Sequence, residues 1–380
     1  MAISVHLSEA FAARRIPSLF SARSSIGPIG IDFGLESVHL VQLESIGGAP
    51  PTLRARATVP FEGGRQAMLD DPARLRSLIK QALASDRFKG RNAVVAVPVG
   101  LFRTLSINYA KKPDQDDDVS VLKVMQARLD GELADYVVDF LPVKSRSKNN
   151  ERLALVAVSE REPIIAFLES LRRAGLTVEA LEIGPVAISR LVGALSEEDH
   201  TGNVLVITSG RQASYLTLIS GTDLLFDQQV SFGENALIKQ LADALDLSEH
   251  MARDLMRRTG VRSNRDSVSE TIDESGLLET MSEILKPQFM TLVDEIKRVC
   301  LYAAAETRGG AVSRVFLLGS LGHWPGADEL LGSLADIDVA KIRDPLLTFR
   351  GGEPDNHHSA LAPELAVATG LALRGSDHHG

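Results

Sequence analysis

Two segments about half a chain apart repeat one device, and whatever fold the chain adopts must present both copies. The first is Gly30-Ile31-Asp32-Phe33-Gly34-Leu35-Glu36-Ser37, running into the apolar Val38-His39-Leu40-Val41. The second is Val206-Ile207-Thr208-Ser209-Gly210-Arg211-Gln212-Ala213-Ser214, running into Tyr215-Leu216-Thr217-Leu218. In each, a strand enters a turn of small residues and leaves as another strand. Backbone N–H groups and a hydroxyl then converge on one point, a geometry that suits phosphate. Asp32 is placed to organise a hydrated metal ion beside that phosphate. The matching position in the second copy is Thr208, which has no charge to offer Mg²⁺. That loss counts against phosphoryl transfer.

A chain of 380 residues is long enough for two domains, each with a sizeable core. With 44% hydrophobic and 24% charged residues it reads as soluble and globular. No apolar run approaches the ~20 residues needed to cross a bilayer. The single cysteine, Cys300, excludes an intrachain disulfide or a cysteine-based zinc site, and its place on an apolar helix stripe predicts burial in a reducing cytoplasm. A formal net charge of -9 with no Lys/Arg cluster argues against nucleic acid as a partner. Residues 1–26, with Arg14, Arg15 and Arg23 among scattered apolar residues, lack the continuous apolar stretch of a signal peptide and read as a flexible arm. The alternative is an arm for a membrane surface or a partner.

Between the two hairpins, helical and strand patterns alternate. Leu75, Leu78, Ile79, Ala82 and Leu83 form one helix face that ends before Asp86, and Asn92 to Pro98 follows as a short buried strand. Val121, Leu122, Met125, Leu129 and Leu133 predict a second helix, Leu153 to Val158 a strand, and Ile164, Phe167, Leu168 and Leu171 a third helix. The polar run Lys144 to Glu151 reads as an exposed loop joining two strands. This alternation indicates an α/β architecture. After the second hairpin come the Phe232-Gly233-Glu234 turn, a helix carrying Leu237, Leu241, Ala244 and Leu245, and a polar loop over Ser263 to Gly276. The most regular apolar stripe follows, through Leu285, Phe289, Leu292, Val293, Ile296, Val299 and Cys300. Val315 to Gly319 is a further strand, and Leu361 to Leu373 a closing helix of small residues.

From about Gly27 to Arg374 the order of these pieces resembles the PilM family of type IV pilus assembly proteins, and more distantly the cell-division protein FtsA. The resemblance is carried by Gly30-Ile31-Asp32-Phe33-Gly34 with Ser37, by Leu171 to Leu176 with Glu182-Ile183-Gly184-Pro185, and by Val230-Ser231-Phe232-Gly233-Glu234. It continues through Asp294-Glu295-Ile296-Lys297-Arg298 and Glu364 to Ala372. It implies an actin-like (ribonuclease H-like) α/β fold in two lobes. The first lobe would be 27–200, with an FtsA/PilM-type subdomain inserted at about 91–181; the second would be 201–375, with a helical subdomain at about 236–310. It also implies ATP and Mg²⁺ as cofactors, and as partner the cytoplasmic tail of a PilN-like inner-membrane protein, which would hold the chain at the membrane from the cytoplasm.

By the resemblance, the nucleotide site comprises Asp32, Gly34 and Ser37, with Asp32 toward the metal, then Thr208 and Gly210, Gly233, and Gly319, Ser320 and Gly322 of the adenosine turn. The family's Ala-Glu-x-x-Lys pattern, whose Glu and Lys approach the ribose, is here Ala252-Arg253-Asp254-Leu255-Met256, and Leu321 and Trp324 stand in the adenosine turn. Each lost charged hydrogen bond weakens a nucleotide by ~1.5 to 3 kcal/mol. The expectation is a degenerate actin-like scaffold that binds proteins rather than an enzyme. An ATP-dependent sugar-kinase-like phosphotransferase and a polymerising actin-class filament are the alternatives. Asp116-Asp117-Asp118 reads as the acidic start of a helix, His357-His358 and His378-His379 as solvated pairs, and Ser189 and Ser214 belong to no hydrolase triad.

Overall fold

In a computed structural model, residues 24–46, 50–111, 115–143, 151–195, 202–221, 223–261, 272–307, 309–342 and 363–375 are described. The residues form two units.

In the first unit, β1 (Ser24–Phe33) and β2 (Ser37–Ile46) make the first hairpin, and β3 (Thr52–Pro60) adds antiparallel to β2. After the short α1 (Gly64–Leu69) and α2 (Pro72–Ala84), β4 (Asn92–Ala96) returns parallel to β1. Helix α2 starts where Asp71 accepts hydrogen bonds from the N–H groups of Ala73 and Arg74, with Pro72 at its first position. The chain then leaves this sheet to build a separate one. β5 (Arg103–Ala110), α3 (Asp117–Gln126), β6 (Tyr136–Val143) and β7 (Glu151–Glu160) form a three-stranded antiparallel sheet in the order β5-β7-β6, with α3 on its apolar face. Helix α4 (Arg161–Arg173) leads back to β8 (Thr177–Glu182), parallel to β4, and α5 (Gly184–Leu195) follows.

The main sheet therefore runs β3-β2-β1-β4-β8. The strand period of two sends Ile29, Ile31, Phe33, Val38 and Leu40 to one face, where Leu75 and Ile79 of α2 and Phe167 and Leu171 of α4 complete the core. The inserted sheet is narrower than the expected 91–181, because β4 and β8 are strands of the main sheet and α4 packs on its core. The helix expected through Leu133 stops at Gln126; Arg128 and Leu129 turn back onto Met125, and Leu133 opens a short 3-10 turn.

The second unit repeats the scheme. β9 (Asn203–Ser209), β10 (Ser214–Ser220) and β11 (Asp223–Val230) form an antiparallel meander. Helices α6 (Glu234–Leu245), α7 (Glu249–Thr259) and α8 (Ile272–Glu306) follow. β12 (Val312–Gly319), α9 (Ala327–Ala335) and β13 (Val339–Lys341) complete a sheet ordered β11-β10-β9-β12-β13. In both sheets a central first strand starts a three-stranded antiparallel meander on one side and has parallel strands on the other. The α8 stripe is buried as expected from Leu285 to Val299, whereas Cys300 is half-buried rather than buried. Residues 272–276, expected in a loop, open α8; the rest of that stretch lies outside the described residues, as do residues 1–23 and both His pairs.

The last helix, α10 (Ala366–Ala372), packs in the first unit although the sequence boundaries placed it in the second. Two glycines let it approach that closely: a β-carbon on Gly30 would stand 2.0 Å from Ala368 O, and one on Gly370 would stand 2.0 Å from Ala187 O. Buried Glu182 at the end of β8 adds a clamp. Its carboxylate meets both Nη atoms of Arg190 at 2.9 and 3.0 Å and also Arg374, while Arg190 donates to Gly370 O at 2.8 Å.

Candidate functional site: two phosphate-type hairpins

At the first hairpin, the register pairs Asp32 with His39 and His39 with Thr58, so these side chains share the sheet face opposite the core. Ser37 Oγ lies 3.2 Å from Nε2 of buried His39, and His39 Nδ1 lies 3.2 Å from Thr58 Oγ1. In a neutral imidazole one nitrogen donates and the other accepts, so His39 links the Ser37 and Thr58 hydroxyls in one row. Gly34 is favoured by the same packing: a β-carbon there would stand 3.0 Å from His39 Nε2 and 3.1 Å from Ser37 O, a tight fit. Arg65 of α1 reaches back to the hairpin. It donates to Phe33 O at 3.3 Å and to Val99 O, which binds the end of β1 to the loop after β4.

Asp32 ends β1 with only a small part of its surface in water. Desolvation by burial pushes its carboxyl up to about 6, and the nearby Arg65 charge opposes that rise. A charged carboxyl desolvated there is costly to the fold.

The second hairpin has the same register. Ser209 pairs with Ser214 as Phe33 pairs with Val38, so Thr208 occupies the Asp32 position, Gly210 the Gly34 position and Ala213 the Ser37 position. Asp32 and Ser37 of the first hairpin are therefore replaced in the second. Thr208 Oγ1 is buried without a hydrogen-bond partner. Backbone groups of this turn are spent internally: Gly210 N–H donates to Ala213 O, and Gly210 O and Arg211 O accept from the first two N–H groups of α6. Ser214 donates to Phe232 O at 2.7 Å, and Ser209 Oγ donates to Leu318 O and accepts from Leu321 N–H, both at 2.8 Å.

The other sequence-predicted residues of this unit gather at the same end of the sheet. Gly233 packs on the 211–212 backbone, Ser320 Oγ lies 3.4 Å from Ser209 O, and Gly322 closes against Leu317 O and Pro363. Gly319 has φ +75°, and a β-carbon there would stand 2.0 Å from Ser209 O, so only glycine fits where β12 crosses β9. Leu321 and Trp324 are wholly buried, and Trp324 packs in the core rather than offering a stacking face. Arg253 is paired with buried Glu234 at 2.7 Å and also donates to Asn235. Met256, where the ribose-contacting Lys was expected, is buried. An open groove of about 550 Å³ between α6 and α8, lined by Ala236, Lys239, Gln240, Asp243, Ala244 and Gln288, includes none of the predicted site residues.

The donor chemistry decides what the hairpins can hold. Mg²⁺ demands near-octahedral oxygen ligands, commonly with one or two carboxylates. The first hairpin offers the carboxylates of Asp32 and Glu36, with Arg65 near Asp32, and the second offers none. Among the described residues no group of three or more His, Cys, Asp or Glu side chains could hold a metal ion. Two participants were missed in the sequence: His39, hidden in an apolar strand two residues from Ser37, and Arg65, which no local pattern marks.

Two sheets with one topology, each opening on a phosphate-type hairpin, define an actin-like α/β protein. Residues 30–376 match the family described as type IV pilus assembly protein PilM, and the chain belongs to that family. Among solved structures, the PilM-PilN type IV pilus biogenesis complex superposes with a TM-score of 0.71 at 22% identity, over 92% of this chain and 98% of that one. Looser likenesses are to the ethanolamine utilization protein EutJ from Carboxydothermus hydrogenoformans (TM-score 0.47, 14% identity, 92% of this chain and 89% of that one) and to MreB5 of Spiroplasma citri bound to ADP (0.46, 12%, 86% and 94%). No curated protein matches the sequence. Among the described residues no helix is long and apolar enough to cross a membrane.

Proposed function

We propose that this protein is a scaffold of a type IV pilus assembly platform, binding the cytoplasmic tail of a PilN-like inner-membrane protein through its first unit, with ATP-driven chemistry weak or lost. The observation that carries the reading is membership of the PilM family over residues 30–376, together with a likeness to a PilM-PilN complex that spans 92% of the chain. Partner binding would place the protein on the cytoplasmic side of the inner membrane. Support for reduced nucleotide chemistry comes from the second hairpin, where Thr208 and Ala213 stand at the positions of Asp32 and Ser37. It comes also from Arg253, already neutralised by Glu234. A population shift between conformations, rather than a chemical product, would be the output of any nucleotide that binds.

The test is a titration of the full chain with a synthetic peptide of the cognate PilN-like cytoplasmic tail. Saturable binding that a scrambled peptide does not reproduce is the expected result. No binding to the tail, combined with ATP turnover stimulated by a sugar or acid, would overturn the reading in favour of a phosphotransferase.

A further inference from the structure

No compact run of Lys and Arg marks the sequence, but residues 72–91 carry Arg74, Arg76, Lys80, Arg87, Lys89 and Arg91 against Asp86 alone, in a chain whose formal net charge is -9. The first unit keeps all six exposed, along the outer face of α2 and the turn that leads into β4. Asp86 is already engaged, because it accepts a hydrogen bond from Arg56 N–H at 2.9 Å. Arg76, Lys80, Lys89 and Arg91 make no ion pair among the described residues. Helix α4 ends beside this turn, where Thr177 N–H donates to Arg91 O at 2.9 Å, and adds the exposed Arg172. The acidic groups at this end are held within the unit: Glu44 by Arg54, Glu169 by Arg173 and Glu179 by Asn92. The result is a positive edge on an acidic protein.

We propose that this edge docks the first unit on the surface of a bilayer that contains anionic phospholipid. Clustered Lys and Arg side chains are drawn to such a surface, and the attraction fades within a Debye length. A bilayer fits these residues better than a nucleic acid does. Phe88, the one aromatic ring in residues 72–91, packs on the sheet core instead of offering a face for base stacking. β1 is parallel to β4 and so starts at the same end, where Ser24 pairs with Ile46 of β2, an aliphatic side chain that is 52% exposed. Such a side chain suits the boundary between headgroups and acyl chains. The contact is the protein's own and does not rest on a PilN-like tail, so peptide binding measured on the same samples keeps the two readings separate.

The experiment is co-sedimentation of the full chain, without tail peptide, with vesicles of phosphatidylcholine alone and with vesicles of phosphatidylcholine and phosphatidylglycerol in equal parts. Binding to the anionic vesicles only is expected, and it should be lost as salt is raised. Each basic residue near the surface contributes about fivefold, so the paired variants Arg76→Ala/Lys80→Ala and Lys89→Ala/Arg91→Ala should each weaken binding at least about tenfold. These side chains are exposed, so both variants should fold as the native chain does. Lys239→Ala, which removes an exposed lysine of the second unit, should bind like the native chain. No binding to anionic vesicles at low salt, equal binding to both kinds of vesicle, native affinity in either paired variant, an equal loss in Lys239→Ala, or tighter binding of duplex DNA than of anionic vesicles at the same salt would each overturn the proposal.

Discussion

Asp32→Asn should stabilise the protein at neutral pH, and its effect should vanish in acid. In the unfolded chain Asp32 titrates near its ordinary value of 3.8, whereas burial raises it to about 6 in the folded chain. Between these values the folded protein keeps a proton that the unfolded chain has released, so stability falls as pH rises through the window. A difference of about 2 pH units, each worth ~1.36 kcal/mol, sets the full penalty at about 3 kcal/mol. The solvent contact Asp32 retains lowers this to about 1–3 kcal/mol. Asparagine is neutral throughout and of nearly the same shape, so it removes the penalty without opening a cavity. Scanning calorimetry of both proteins from pH 4 to 7.5 reads the difference directly, because all other groups titrate alike. At roughly 2–4 °C per kcal/mol for a unit of this size, the variant should melt several degrees above the native chain at pH 7.5 and converge with it near pH 4. A variant no more stable at pH 7.5, or a difference that does not change with pH, would refute the argument that this carboxylate is held against the stability of the fold.

Three further outcomes follow from the packing. Glu182→Gln leaves Arg190 and Arg374 without their shared carboxylate and should cost about 3–5 kcal/mol in urea denaturation, with Arg374→Ala costing less because that side chain is 30% exposed. Gly370→Ala should cost at least about 1–3 kcal/mol and speed hydrogen exchange in α10, while Gly193→Ala on α5, where a β-carbon meets nothing within 4 Å, should be neutral or slightly stabilising. Trp324, as the only tryptophan and wholly buried, should emit in the blue, resist acrylamide quenching and ignore added ATP; nucleotide-dependent quenching would return it to the adenosine site.

What the sequence disclosed depended on how local the cause was. The α8 stripe and the α2 face were legible because the 3.6-residue period is written in consecutive residues, and all but Cys300 and Leu83 of the predicted side chains are buried there. The equivalence of Asp32 and Thr208 was legible because both turns have the same length. The extent of the inserted sheet was not. β4 and β8 read like any buried strand, and only long-range pairing shows that they belong to the main sheet. Residue pattern also could not place α10. Its small residues announce close packing, but the surfaces that need them, Gly30 on β1 and Ala187 on α5, are more than 170 residues away. Ser37 was visible as a candidate, while His39, which contacts it, and Arg65, which reaches the end of β1, were not.

The two hairpins show how one inherited device can serve two ends. In the second, several polar groups hold the unit together: turn carbonyls accept from α6, Ser209 binds β9 to the 321 turn, and Arg253 is held by Glu234, while Thr208 Oγ1 has no partner. Such groups are expensive to redirect, since a ligand must replace hydrogen bonds that already satisfy buried atoms. The first hairpin has gone the other way. Its turn keeps Asp32 and Ser37, and Asp32 remains charged at neutral pH against a desolvation cost that Asn would remove. That carboxylate is held against the stability of the first unit, whereas hydrogen-bonding groups of the second turn serve as framework. Thr208→Val, which removes a buried hydroxyl without a partner, should therefore leave stability unchanged or raise it in urea denaturation.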